Sequence, residues 1–216
     1  MTVVDNLSLP VTDVELAYAG ALERDAAQLR RIVDLLLRVD VDDPLLLDVA
    51  DELDVLSEHL ENPTRTVTET IRNPGWRHDP VSGVENAIAP PIVLEAGPDG
   101  TLTAEVEFGL PYQGPNSFVH GGISAMVMDH VLSVATAPNG GTIFTAQLTV
   151  RYHRPLPLFV PVAVVARLKE REGRKLWATG EIVVDGKVAV SAEGLFIEPR
   201  PTPAQAPVGS DGREDS

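Results

Sequence analysis

The chain has 216 residues, no cysteine and a formal net charge of −15 at pH 7. Its length suits one domain with extensions or two small domains, and the lack of cysteine excludes disulfides, thiolate nucleophiles and cysteine-ligated zinc. Residues 1–62 contain 15 acidic and 4 basic residues, a net charge of −11, which argues against binding to nucleic acid or an anionic membrane. Residues 1–9 lack the features of a signal peptide and no apolar run is long enough to span a bilayer, so we expect a cytoplasmic protein without membrane insertion.

Residues 1–62 are predicted to form a helical N-terminal extension. Apolar residues recur at helical spacing over 13–38 and over 45–60, and an Asp-Asp-Pro sequence at 42–44 separates the two helices. Together they predict a hairpin with one apolar side. We expect this side to pack on the main domain or on a dimer mate; a recognition or regulatory role is the alternative.

The rest of the chain divides by composition. Residues 63–91 contain five prolines and predict a surface linker, pinned by Trp76. Residues 92–198 carry strand and helix signals and are predicted to form the main domain. Residues 199–216, rich in proline, alanine and charge, predict a disordered tail.

The main domain is predicted to contain six strands and one long helix, which follows the second strand. The strands are expected at 92–96, 102–108, 143–153, 161–171, 174–185 and 187–197. Strands joined by short turns pair antiparallel, and a helix buried on all sides needs a sheet curled around it. The predicted fold is therefore α+β, a hot-dog fold in which an antiparallel curved sheet wraps around one central helix.

The central helix lies within residues 119–135, VHGGISAMVMDHVLSVA. A buried unpaired carboxylate is costly, so Asp129 within this apolar run indicates a general base or a nucleophile. A structural Asp paired with an Arg or a hydroxyl is the alternative. Gly121 and Gly122 leave the N–H groups of the helix N-terminus open to a polarised carbonyl oxygen; close packing of helix on strand is the alternative for this pair.

The spacing of these groups predicts a dimeric site. Gly121 and Asp129 are eight residues apart, about 12 Å along one helix, so one carbonyl cannot touch both within a chain. Two helices that run antiparallel across a two-fold axis would bring Gly121 of one subunit to Asp129 of the other.

Thr145 begins the strand sequence TAQLTVRYHRP and is a candidate to hold a water against Asp129. Strand propensity alone is the alternative explanation. By alternation, Gln147, Thr149 and Arg151 are expected on the same strand face as Thr145.

The nearby histidines are weaker candidates. His130 points about 100° away from Asp129 on the helix, so the two form no obvious pair. His120 more plausibly fixes the loop than transfers protons. The spacing of these groups matches no known metal site, and we expect no metal.

The set His120-Gly121-Gly122, six residues, Asp129, and then the strand from Thr145 resembles the hot-dog acyl-CoA thioesterases of the PaaI type, in the subgroup of thioesterase superfamily member 4. The likeness covers about residues 90–198. It implies a homodimer or a dimer of dimers that hydrolyses an acyl-CoA thioester to free fatty acid and CoA in lipid metabolism, with no cofactor beyond the CoA of the substrate.

The resemblance also implies residue roles. Asp129 is the base or nucleophile, Thr145 positions the water, the Gly121 N–H polarises the thioester carbonyl and His120 supports the loop. Gly122 is a further substrate contact. Basic residues usually meet the CoA phosphates, and the candidates here are Arg151, Arg154, Arg167, Lys169, Arg171, Arg174 and Lys175, of which Arg151, Arg154 and Lys175 are preferred; ordinary strand-end charge is the alternative for each.

One departure and two alternatives remain. Many relatives carry an Asn six residues before the motif histidine, where this chain has Gly114, and its role is not transferred to Asn116. The N-terminal helices have no counterpart in the minimal hot-dog unit, and we hypothesise that they set acyl length.

The main alternative function is a non-catalytic acyl-CoA binding or sensing protein, which would need neither Asp129 nor Thr145. A hot-dog hydratase or dehydratase fits the motif order less well.

Overall fold

The computed structural model of the chain describes residues 13–61, 76–90, 92–137 and 141–200, with side chains from residue 20 in the first range and residue 77 in the second. The predicted Trp76 contact and the predicted disordered tail beyond residue 200 lie outside these described residues. Within them, no helix is both long enough and apolar enough to cross a bilayer.

The main domain is built on one six-stranded sheet in the order β1-β2-β4-β5-β6-β3, with every neighbouring pair antiparallel. The strands are β1 Glu95–Ala96, β2 Leu102–Val106, β3 Phe144–Tyr152, β4 Val162–Glu172, β5 Lys175–Val184 and β6 Lys187–Ile197. The predicted antiparallel sheet is thus confirmed. The first strand is shorter than predicted, because Ile92 and Leu94 are buried in the core but lie outside the hydrogen-bonded ladder.

The central helix, α3, spans Gly121–Thr136 and lies against one face of the sheet. Glycines in the sheet allow its close approach: a Cβ on Gly180 would lie 2.8 Å from Met128 Cε and 3.1 Å from Leu132 Cδ2. The expectation of a helix buried on all sides is wrong for the described single chain. One face packs on the sheet, while Asp129 and its neighbours on the other face stay partly exposed.

A bulge in β3 changes which of its side chains lie on each face of the sheet. Thr145 pairs with Phe196 of β6, but Gln147, two residues on, pairs with the next residue, Leu195. Beyond this irregularity Leu148 and Val150 pack into the core. The predicted common face for Thr145 and the residues at 147, 149 and 151 is therefore wrong, because one extra residue in a strand moves every later side chain to the opposite face.

Two N-terminal helices, α1 Asp13–Leu36 and α2 Leu45–Glu61, are present as predicted. Helix α1 contacts the main domain through Asp34, whose Oδ1 accepts a hydrogen bond from the Leu110 N–H at 3.4 Å, and it contacts segment 76–90 through Arg30, whose Nη1 donates to the Asn86 carbonyl at 2.8 Å. Its apolar Leu22 and Val33 stay 44–47% exposed, and α2, described over its full length, has no buried residue. Among the described side chains, the apolar side is thus not buried on the main domain in the single chain, and the dimer mate stays a prediction.

Candidate active site

His120 is the N-cap of α3. Its backbone is extended, with φ −61° and ψ 133°, and its Nδ1 accepts a hydrogen bond from the Gly122 N–H at 3.0 Å. The His120 N–H donates in turn to the Tyr112 carbonyl at 2.9 Å, which fixes the loop before the helix. Because Nδ1 accepts, the ring proton of neutral His120 lies on Nε2.

Gly121 is the first residue of α3, and its N–H has no hydrogen-bond partner among the described residues. The Gly121 carbonyl accepts a hydrogen bond from the Tyr152 hydroxyl at 2.9 Å. A Cβ on Gly121 would lie 3.4 Å from the Tyr152 ring, an ordinary contact, whereas a Cβ on Gly122 would lie 3.1 Å from His120 Nδ1. The N–H of Gly121 is therefore open to a ligand, while that of Gly122 is already used by His120.

Asp129 and Thr145, sixteen residues apart in sequence, are in direct contact. The Thr145 hydroxyl donates to Asp129 Oδ1 at 2.9 Å. Asp129 Oδ2 has no hydrogen bond to the described residues, and the carboxylate is partly exposed. This leaves one carboxylate oxygen fixed and the other free to accept a proton or to attack a carbon.

The two halves of the predicted site lie at opposite ends of β3. Tyr152, at the C-terminal end of this strand, contacts Gly121, while Thr145, near its N-terminal end, contacts Asp129. Along α3, Gly121 and Asp129 are separated by about 12 Å. The described single chain therefore does not bring the open N–H and the carboxylate together.

The preferred basic residues are exposed, and they divide between the two ends of the sheet. Arg151 lies on the face opposite α3, beside a groove of about 560 Å³ that Arg167 also lines. Arg154 follows β3 at the Gly121 end, where its N–H donates to the Ala189 carbonyl at 3.3 Å. Lys175 begins β5 at the other end, since its pairing partner in β6 also pairs with Phe144. Arg151 is thus not brought to Asp129.

The loop before α3 explains the departure at position 114. The Gly114 N–H donates to the Phe118 carbonyl at 2.6 Å, and a Cβ on Gly114 would lie 2.7 Å from His120 Cα. This backbone has no space for an Asn side chain there. Asn116 is exposed with a φ of 56°, in the left-handed region that Asn tolerates.

His130 has a partner that sequence reasoning missed. Its Nδ1 lies 3.3 Å from Asp79 Oδ1, which also accepts hydrogen bonds from the N–H groups of Val81 and Ser82 at 2.7 and 3.0 Å. Burial raises the pKa of Asp79, but the hydrogen bond and charge of His130 and the two backbone donors outweigh it and hold that pKa below its ordinary value. His130 Nε2 is buried without a partner among the described residues. The pair links α3 to the segment that follows the N-terminal helices.

Among the described residues, no three His, Asp or Glu side chains are close enough together to hold a metal ion.

The crystal structure of protein RHA08564, described as a thioesterase superfamily protein, matches this chain with a TM-score of 0.74 and 47% sequence identity, over 82% of this chain and 94% of that one. This chain belongs to the thioesterase superfamily. The family model described as Thioesterase superfamily matches residues 116–190, the range that contains His120, Asp129 and Thr145. The predicted family resemblance and hot-dog fold are confirmed.

Two further comparisons extend the thioesterase superfamily match. Residues 17–69 match the model described as Hypothetical protein RHA1_ro05818, N-terminal helical domain. Acyl-coenzyme A thioesterase THEM4 of Bos taurus is 35% identical over 54% of this chain and 49% of its own length, and THEM4 of Mus musculus is 39% identical over 42% and 40%. The matched region thus spans half or less of these curated relatives.

Proposed function

We propose that this chain is a thioester hydrolase that converts an acyl-CoA to free fatty acid and CoA. The observation that carries the proposal is the open second oxygen of Asp129: Oδ1 accepts a hydrogen bond from Thr145 at 2.9 Å, while Oδ2 has no partner among the described residues and the carboxylate is partly exposed. A carboxylate with one oxygen fixed by a hydroxyl and the other open suits proton transfer from a water. The names of the curated THEM4 relatives, which are acyl-CoA thioesterases, support this substrate class.

The reaction follows from the two open groups. Asp129 removes a proton from water as the water oxygen attacks the thioester carbonyl carbon, and the Gly121 N–H stabilises the oxyanion that forms. The C–S bond then breaks, and CoA leaves as a thiolate that takes up a proton. In a second route Asp129 itself attacks, and water hydrolyses the resulting anhydride. A single turnover in ¹⁸O-labelled water separates the routes, since only the second can leave label in the Asp129 carboxylate.

A dimer would bring the two half-sites together. β3 is a long edge strand that is mostly exposed, and such an edge can pair with a second copy. Antiparallel pairing centred on Thr149 would set Thr145 of one subunit beside Tyr152 of the partner subunit, once the bulge is counted. Because Tyr152 contacts Gly121, the N–H donor of one subunit would then approach Asp129 of the other.

The same pairing selects among the predicted CoA contacts. Arg154 lies at the Gly121 end of β3 and Lys175 at the Thr145 end, so a two-fold axis would bring Arg154 of one subunit and Lys175 of the other to the same site. We propose these two as phosphate contacts. Arg151 lines the groove on the face opposite α3, and Lys175, which alternates with buried Leu176 in β5, starts from the same face at the end of its strand.

A thiol-release assay over acyl-CoAs of increasing chain length tests the proposed function. Asp129→Ala should lower turnover at least about a hundredfold, since loss of a general base costs 10²–10⁴. Thr145→Val should lower turnover by about tenfold through loss of the fixed carboxylate oxygen. Both variants should keep the wild-type melting temperature within a few degrees.

Ser191→Ala is the matched control, because it removes a side-chain hydrogen bond of 2.8 Å to His153 from the other face of the sheet. It should keep wild-type turnover. Near-normal turnover in Asp129→Ala would remove this residue from the mechanism. Tight acyl-CoA binding without turnover in the wild type would instead favour the binding or sensing alternative.

A further inference from the structure

Tyr152 contacts the turn that carries the proposed oxyanion donor. Its hydroxyl donates to the Gly121 carbonyl at 2.9 Å, and its ring lies 3.4 Å from the position a Gly121 Cβ would take. The side chain reaches across from β3, the strand that also carries Thr145, and the residue is 55% exposed in the single chain.

The peptide group between Gly121 and Gly122 is held at both of its polar atoms. Its carbonyl accepts from Tyr152, and its N–H donates to His120 Nδ1 at 3.0 Å. We call this arrangement the peptide clamp. The side chains of the clamp come from different parts of the fold, a β-strand and the N-cap of α3, so together they fix this peptide relative to the sheet.

A glycine pair needs such restraint more than other residues do, because glycine has the widest range of backbone dihedrals. The Gly121 N–H shares its Cα with the clamped peptide, so fixing that peptide limits rotation about Gly121 and sets the direction of its N–H. Stabilisation of a developing oxyanion depends on a donor that is already oriented before reaction.

We propose that Tyr152 is a positioning residue that orients the Gly121 N–H toward the thioester carbonyl. The inference rests on the proposed hydrolase function. Tyr152 acts through the Gly121 backbone and takes no part in proton transfer. Folding alone gives little reason for the contact, since a hydrogen bond between exposed groups adds little net stability.

Steady-state kinetics of Tyr152→Phe test the inference, because this change removes the hydroxyl and keeps the ring. We expect kcat to fall about tenfold, since a small displacement of an aligned group costs up to about 10² in rate, while KM and the melting temperature stay near the wild-type values. Ser191→Ala, which removes an exposed hydrogen bond from the opposite face, should change none of these quantities.

A second readout keeps the inference testable without turnover. Amide hydrogen exchange at Gly122, followed by NMR, should speed up in Tyr152→Phe and stay unchanged in Ser191→Ala. If the wild type is active and Tyr152→Phe keeps its kcat, the positioning role is wrong and the hydrolase proposal stands. If the wild type hydrolyses no thioester, the proposed function fails, and unchanged Gly122 exchange would overturn the clamp as well. A loss of folding in Tyr152→Phe would replace positioning by a structural role.

Discussion

Gly121 and Gly122 differ in the space that the fold leaves for a side chain. At Gly122 a Cβ would crowd the His120 ring at 3.1 Å, so the N-cap itself favours glycine there. At Gly121 a Cβ would meet only an ordinary contact with Tyr152 at 3.4 Å. The alternative that both glycines serve helix packing is therefore poorly supported at Gly121. Access of a ligand to its open N–H stays our proposed explanation for a glycine at this position.

Two substitutions at Gly121 distinguish the contribution of its N–H from the effect of an added side chain. Gly121→Pro removes the N–H at the first helical position, where proline is favoured, and His120 before it already has the extended backbone that proline requires. Turnover should fall about 10²–10³-fold, the usual cost of losing an oxyanion donor. Gly121→Ala keeps the N–H and should lose much less. Equal losses in the two variants, measured by thiol release, would contradict the donor role.

The residues of the site were predictable to different degrees. The sequence predicted that Thr145 holds a water against Asp129 if its strand lies against the helix, whereas in the structure the Thr145 hydroxyl contacts the carboxylate directly. Asp79 could not be anticipated, because it lies in a proline-containing segment without periodicity, 51 positions before its partner His130. Its local turn could be inferred from an Asp with a Ser three residues on, but nothing local indicates the long-range partner.

At the scale of the elements, segment 76–90 is tied to both helical parts of the chain. Asp79 contacts His130 of α3, and Arg77 forms ion pairs with Glu85 of the same segment and with Glu23 of α1. These contacts involve residues 76–90, the described part of the predicted linker. This part is a packed connector, with Val81 2% exposed, where the sequence predicted a surface linker.

The pH dependence of stability should reveal the Asp79 contact. Because folding lowers the pKa of Asp79, its carboxylate stabilises the folded chain above its ordinary value of 3.8, and that contribution is lost as the pH falls through the lower folded value. Asp79→Asn keeps an oxygen for the Val81 and Ser82 N–H groups but loses the charge. At pH 7 its free energy of unfolding should be lower by about 1 kcal/mol, discounted because the Asp79 side chain is partly exposed.

Thermal melts of both proteins from pH 7 to pH 2 provide the measurement. The gap between wild type and Asp79→Asn should close as the pH falls from 3.8 through the lower pKa of the folded chain, once the wild-type carboxyl is protonated as well. A gap that stays constant over this whole range would show that the carboxylate charge does not matter.

The strands show what periodicity can and cannot predict. The bounds of β3 to β6 agree with the predicted bounds to within one residue, since the intervening turns carry residues suited to left-handed backbone, such as Gly173 at φ 57° and Gly186 at φ 69°. The β3 bulge was not predictable, because a reading by alternation assumes two residues per repeat throughout. The position of a bulge depends on how the strand packs against its neighbours, which the alternation of residues does not record.

At the scale of the whole molecule, the proposed site needs two chains. The open N–H lies near one end of β3 and the carboxylate near the other, and the unpaired edge of this strand offers a place for the second copy. The exposed apolar residues of α1 and α2 leave the predicted packing on a dimer mate untested. Assembly and activity are thus expected to be coupled.

Mixing two inactive variants tests the shared site directly. Asp129→Ala and Gly121→Pro should each be inactive alone, but a mixed dimer has one site with both defects and one with neither. Equal amounts, unfolded and refolded together, should recover about one quarter of wild-type turnover if subunits pair at random.

Each variant refolded alone serves as the control. Recovery of no activity in a mixture shown by mass spectrometry to contain mixed dimers would place the whole site within one chain. Sedimentation of the wild type at several concentrations gives the oligomeric state for the same samples.

The bulge in β3 has a consequence for the precision of this assembly. Thr145 must face Asp129, while Leu148 and Val150 must face the core, and these demands are met only when the extra residue sits between Thr145 and Gln147. A slip of β3 by one residue along β6 would bury polar side chains, and a slip by two would displace the bulge from Asp129. The bulge therefore fixes the register of β3 against β6. It thereby also fixes the distance between the two ends of the strand and the spacing of the paired half-sites.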